Sequence, residues 1–477
     1  MTLPRIIQGG MGVAVSNWKL ARAVSMRGQL GVVSGTALDT VLVRRLQDGD
    51  PEGHMRRAME RFPIPGVSER LIERYFLPEG RSPGQPYKLL SMYRHNVSRE
   101  RQLVTILANF VEVFLAKDGH DGVVGINLLT KVQMPTLPSL YGAMLAGVDY
   151  VLMGAGIPRE IPGALDALSQ HRVATLRFEV EGMPAGEAMH LAFDPSEFVT
   201  GPDPLPRPAF LPIVSAVSLA TTLARKANGS VQGFVVEGPT AGGHNAPPRG
   251  EPRFNDRGEP LYGERDAVDL VKIRDLGLPF WLAGGSGSPQ RLADAVALGA
   301  AGIQVGTLFA FCDESGFDGS IKREVLGHAS RGEVDVLTDP RASPTGYPFK
   351  VVTWSGDDTP AHTRERNCDL GYLRLAFRRD DGRVDYRCAA EPVADYLRKG
   401  GSEADTLGRR CLCNALTANI GQAQPRAGSL EEPPLITSGD DLAGIGSFLS
   451  GRESYTAGDV IDYLLTPDAP AFTNQPA

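Results

Sequence analysis

The chain has 477 residues, 42% of them hydrophobic, with 49 Lys plus Arg against 56 Asp plus Glu for a formal charge of −7. That balance leaves no cationic footprint for nucleic acid, and no apolar run approaches the roughly 18–20 residues of a membrane span. The five cysteines, odd in number and without zinc-ligand spacing, suit buried thiols in a reducing cytoplasm and indicate no metal.

The N-terminal stretch MTLPRIIQGG reads as neither a signal nor a transit peptide. Eight short apolar segments then read as parallel strands covered by helices: 5–8, 30–34, 122–128, 149–153, 211–215, 233–237, 279–283 and 302–305. Helical periodicity lies between them, at 18–28, 136–146, 218–227 and 290–298. This alternation predicts an α/β protein with a TIM (β/α)8 barrel over residues 1–320. A bare barrel needs roughly 250 residues, so much of the chain must be added material. Three segments break the rhythm. Residues 39–121 are charged and Pro/Gly-punctuated and read as a helical insertion. Residues 173–198 alternate around a turn and read as a hairpin insertion. Residues 246–266, rich in Pro, Gly and charge, predict an ordered loop over the barrel mouth. Residues 321–477 read as a mainly helical extension, with 467–477 frayed.

The strand ends carry the chemistry. The first strand enters GGMG at 9–12. A dinucleotide fingerprint would need a third glycine where the chain has Val15, and an acid about 20 residues further on. Neither is present, so the loop reads as a floor beneath a flat ring. SGT at 34–36 and GIN at 125–127 put Ser34 and Asn127 where they can hydrogen-bond a polar heterocycle. The sixth strand ends in EGPTAGGH, 237–244. Gly242 and Gly243 let backbone wrap a ligand beside His244, a residue able to move protons near neutral pH. The last two units, PFWLAGGSGS (279–288) and GIQVGT (302–307), are strands running into small-residue loops. In a barrel these loops commonly build a phosphate site. Ser288 suits a helix N-cap, and Pro289 suits the first helical position. Lys350, Arg249, Arg265 and Lys272 read as solvated charges.

Taken together, QGGMG, SGT, Asn127, AGGH, AGGSGS and QVGT resemble the nitronate monooxygenase family, whose relatives include flavin-dependent enoyl-ACP reductases. SPTGYPFK (343–350), CLCNAL (411–416) and TSGDDL (437–442) are similar to a larger branch serving polyketide and polyunsaturated fatty-acid synthesis. The resemblance implies non-covalent FMN. Its phosphate would lie on the backbone of Gly284, Gly285, Gly306 and Thr307. Its ring system would lie over Gly9, Gly10 and Met11, with Asn127 at the polar edge. Ser34, Gly242, Gly243, Ala283 and Gln304 complete the implied cofactor set, and His244 matches the catalytic histidine. Thr240 stands where many members carry an acid. Two reactions stay open: oxidation of an alkyl nitronate to carbonyl plus nitrite with oxygen, and NAD(P)H-dependent reduction of an enoyl thioester. Small-molecule and acyl-thioester substrates, an acyl carrier protein and a homodimer all remain compatible with this reading.

Overall fold

The computed structural model describes residues 3–199, 201, 203–354, 365–426 and 431–466; the stretch read as frayed, 467–477, lies outside them. Eight strands form one sheet: β1 (Ile6–Gln8), β2 (Gly31–Ser34), β3 (Val124–Leu129), β4 (Tyr150–Gly154), β5 (Ala209–Val214), β6 (Phe234–Glu237), β7 (Phe280–Ala283) and β8 (Gly302–Val305). Each pairs in parallel with its sequence neighbour from β2 to β8, and β8 pairs with β1. The gap between β1 and β2 is closed mainly by one residue. Gln8 is fully buried; its N–H donates to Leu30 O at 3.0 Å, and its Oε1 accepts from Val32 N at 3.0 Å. The result is the TIM barrel that the strand spacing implied. No helix among the described residues is long and apolar enough to cross a membrane.

Local sequence explains the helices that cover the sheet. Asn17 caps helix Trp18–Ser25 by accepting from Leu20 N, and that helix buries Leu20, Ala21 and Val24. Ser288 caps helix Pro289–Ala297 by accepting from Arg291 N, with Pro289 in its first turn. Inside the barrel, Ile7, Leu30, Val32, Leu152, Leu211, Val235 and Trp281 form a plug of apolar side chains. The Trp281 indole N–H donates to Pro4 O at 2.8 Å, which satisfies its one polar atom.

One expectation needs correction and a second needs completing. Helix Arg99–Lys117, read as part of the 39–121 insertion, packs against both Trp18–Ser25 and Thr136–Leu145. It is the barrel's own crossover helix between β2 and β3, which a parallel pair requires. The added material is the stretch before it, with short helices Leu38–Gln47, His54–Met59 and Val67–Tyr75. The segment after 320 holds more helix than strand, but it is not helical alone. It contains the hairpin Val334–Asp339 with Phe349–Trp354 and the pair Leu375–Arg378 with Val384–Arg387. The second of these accepts Val180–Glu181 as a third strand. That stretch lies just after Ala174–Phe178, which pairs antiparallel with Met189–Phe193.

One buried polar cluster fastens the inserted helices to the barrel and to the C-terminal segment. Asp39, 2% exposed, accepts from Arg101 Nη1 at 2.6 Å, from Thr105 Oγ1 at 3.1 Å and from the Tyr372 hydroxyl. Burial alone would raise the Asp39 carboxyl; the Arg101 guanidinium and these hydrogen bonds hold it below its ordinary value. Removing only the cation strands a buried carboxylate. Arg101→Met is therefore expected to cost about 3–5 kcal/mol of stability, read by thermal or denaturant unfolding. A loss below 1 kcal/mol would show that water or another group already satisfies Asp39.

Candidate active site

Strand alternation decides which side chains face the barrel's upper end. Val32, Leu152, Leu211, Val235 and Trp281 point inward, so Ser34, Gly154, Ile213, Glu237 and Ala283, two residues further on, do too. Asn127 of β3 and Gln304 of β8 join them. All seven line an open-mouthed cavity of about 220 Å³ at the C-terminal ends of the strands, the face where barrels place their chemistry. Two atoms of this floor lack partners among the described residues: Asn127 Oδ1 and Gln304 Oε1 are buried and accept no hydrogen bond there. A buried acceptor left unpaired is costly, so the floor is built for a ligand with polar edge groups. The Asn127 amide donates to Gly10 O at 3.2 Å, and a Cβ on Gly10 would lie 2.3 Å from Asn127 Cβ. Glycine is the residue that lets this loop lie flat across the floor.

One end of the cavity is made of backbone. Gly285 has φ +61°, and its N–H, like those of Gly306 and Thr307, donates to no acceptor among the described residues. Donors with no protein partner facing a cavity are a seat for an anionic group. Thr307 Oγ1 donates to Asp441 Oδ1 and accepts from Gly439 N at 3.2 Å.

His244 lines the same cavity. Its Nε2 lies 2.7 Å from Ser343 Oγ, and its ring packs edge-on against Phe349, with centroids 4.8 Å apart. Ser343 is fully buried and in turn contacts Thr345 Oγ1 at 2.8 Å. The loop carrying His244 is clamped from the C-terminal segment: Gly243 N donates to Thr437 Oγ1, Lys350 N to Gly243 O, and Asn245 N to Pro348 O, each at 2.9 Å. Burial and then the nearby Lys131 cation push the imidazole down to about 4, so it is neutral at neutral pH. Glu237 moves the other way. Burial raises its carboxyl to about 7, and no protein group pairs with it among the described residues.

Every residue that the motifs singled out for cofactor or catalysis lines this one cavity: Gly9, Gly10, Met11, Ser34, Asn127, Gly242, Gly243, His244, Ala283, Gly284, Gly285, Gln304, Gly306 and Thr307. Ser34 differs in detail, because its hydroxyl donates to Gly12 O at 2.6 Å and braces the glycine loop. Lys350 is not a solvated charge: it is 3% exposed, and its ammonium meets Asp440 Oδ1 at 2.5 Å. Several wall residues escaped sequence reasoning. Glu237 was detectable, since it lies two residues beyond the inward Val235. Phe349, Thr437, Ser438, Gly439 and Asp441 were not, because nothing local ties the C-terminal segment to the barrel mouth. Among the described residues, no cluster of side chains could hold a metal ion.

The family model described as nitronate monooxygenase matches residues 207–338. That stretch includes AGGH, AGGSGS and QVGT, so it covers His244 and the backbone seat. Similar solved structures include FabK from Thermotoga maritima (16% identity, 98% of this chain and 93% of that chain, TM-score 0.45). They also include a nitroalkane oxidase from Streptomyces ansochromogenes (16%, 97% and 94%, 0.46). A third is the enoyl reductase domain of MlnA from the macrolactin biosynthesis cluster of Bacillus amyloliquefaciens (10%, 97% and 94%, 0.46). No curated protein matches the chain.

Proposed function

We propose that this chain, matched by the nitronate monooxygenase family model over residues 207–338, is an FMN-dependent oxidoreductase that oxidises alkyl nitronates. The observation that carries the reading is the cavity itself: a glycine-lined anion seat, a floor with two orphaned amide oxygens, and one neutral histidine beside it. The residues fit a flavin mononucleotide. Gly284, Gly285, Gly306 and Thr307 would hold the phosphate. Gly9, Gly10 and Met11 would support the ring, and Asn127 and Gln304 would meet its polar edge. When bound, the flavin supplies a redox centre that takes electrons from an electron-rich nitronate, with oxygen completing the conversion to carbonyl and nitrite.

The protein's own groups do the rest. Ser343 holds His244 Nε2, which leaves Nδ1 as the ring nitrogen without a protein partner among the described residues. A neutral imidazole can accept a proton there or hold the nitro oxygens. Lys131, stacked 4.8 Å from the Tyr347 ring centroid, supplies a cation near His244 and so favours an anionic substrate. A second reading rests on the wall beside His244, where Phe349, Leu373, Leu412 and Leu416 line the cavity with apolar side chains. That surface suits the acyl chain of an enoyl thioester, reduced with NAD(P)H as electron donor and delivered by an acyl carrier protein.

The purified protein is expected to be yellow and to release FMN, not FAD, on acid treatment. Anaerobic mixing separates the two reactions. Bleaching of the flavin by an alkyl nitronate without NAD(P)H supports nitronate oxidation. Rapid bleaching by NADPH, with no response to any nitronate, moves the assignment to enoyl reduction.

A further inference from the structure

The backbone seat has one feature that a plain phosphate site would not need. The carboxylate of Asp441 is part of its wall. Asp441 Oδ1 accepts from Thr307 Oγ1. A Cβ on Gly287 would lie 3.2 Å from Asp441 Oδ2, and one on Gly439 would lie 2.7 Å from Oδ1. The carboxylate is thus wedged between the loop after β7, the Thr307 turn and its own segment. No Lys, Arg or His pairs with it among the described residues. Lys350 is committed to the neighbouring Asp440. The remaining charged or titratable neighbours are Asp440 itself and the Tyr455 phenol, whose hydroxyl donates to Leu308 O at 2.7 Å. Glu259 and Asp335 lie beyond, around the Lys350–Asp440 pair.

We propose that Asp441 is an anion built into the phosphate end of the cavity, and that a phosphorylated ligand seats there only as this carboxyl takes up one proton. The inference rests on the flavin reading of the cavity and adds a condition to it. Two anions in contact in a water-poor site repel strongly, and a shared proton is the usual relief. As a carboxylic acid, Asp441 has a hydrogen to donate to a phosphate oxygen while its other oxygen keeps the Thr307 bond. Burial already raises this carboxyl above its ordinary value, which lowers the cost of that proton.

The consequence is a phosphate-specific pH dependence. Above pH 7 a phosphomonoester is already dianionic, its second pKa being about 6. Any further change in affinity then reports the protein. FMN affinity should fall about 10-fold per pH unit, the slope of one-proton linkage. Riboflavin, which has the ring but no phosphate, should show no such slope.

The test uses the full chain stripped of flavin. Dissociation constants for FMN and riboflavin are measured by flavin fluorescence at pH 7, 8 and 9. Calorimetry at pH 8, in two buffers of different ionisation heat, counts the protons exchanged. Uptake of about one proton with FMN and none with riboflavin supports the proposal. Asp441→Asn should flatten the FMN profile and tighten binding at pH 9; if that variant misfolds, the wild-type proton count decides alone. Tight FMN binding with a flat profile and no proton uptake overturns the proposal but leaves the flavin reading intact. Failure of both flavins to bind at every pH overturns the flavin reading itself.

Discussion

His244→Ala is expected to leave the barrel folded and flavin bound while cutting turnover about 10²–10⁴-fold, the usual contribution of positioned proton transfer. That corresponds to about 3–5 kcal/mol of transition-state stabilisation. The proposed flavin contacts are backbone groups and two floor amides, and no hydrogen bond joins the His244 ring to them among the described residues. Its own partners are Ser343 and Phe349 on the C-terminal hairpin. A purely structural histidine would instead lower melting temperature and flavin occupancy together. Occupancy, melting temperature and substrate-dependent flavin reduction are therefore compared in one preparation. Near-normal reduction by substrate in a flavin-loaded variant would end the catalytic assignment. The pH profile adds an independent readout. His244 is neutral above about pH 5, because its imidazole is pushed down to about 4. A break in rate near neutrality would then come from Glu237, held up at about 7, and should vanish in Glu237→Gln. Persistence of that break in Glu237→Gln would assign it elsewhere.

Gly306→Val is expected to abolish flavin binding in a protein that still folds. Gly306 has φ −106°, a conformation valine tolerates, and a Cβ there meets only Met11 Sδ at 3.6 Å. The added methyls would therefore enter the cavity at the anion seat without straining the backbone. Gly285→Val is the harsher companion, since φ +61° is unfavourable for a β-branched residue and Thr240 Oγ1 lies 3.3 Å from the new Cβ. Occupancy after purification, reconstitution with FMN and thermal melting give the answer. Full occupancy in well-folded Gly306→Val would show that the phosphate lies elsewhere.

What the sequence by itself determined is everything carried by short range. Continuous apolar runs at the spacing of βα units placed all eight strands, because strand and helix periods are local properties of the chain. Small residues at the strand ends marked Gly9–Gly10, Asn127, Gly284–Gly285 and Gly306–Thr307, and the parallel barrel topology gathers every strand end on one rim. Local pattern also misassigned Arg99–Lys117: a helix has the same periodicity in an insertion as in a barrel, and only its packing between two barrel helices tells the two apart. Tertiary structure alone decided the closure of the site. Thr437 bonds Gly243 across 194 residues, and Asp441 bonds Thr307 across 134. Neither contact leaves a trace in local propensity. Both follow from the C-terminal segment packing over the barrel mouth, driven by non-directional apolar burial of residues such as Leu442, Ile445 and Phe448. The protonation states were hidden for the same reason. His244 is neutral and Glu237 is held near neutrality because surrounding chain removes water from them, and that surrounding is assembled only in the folded molecule.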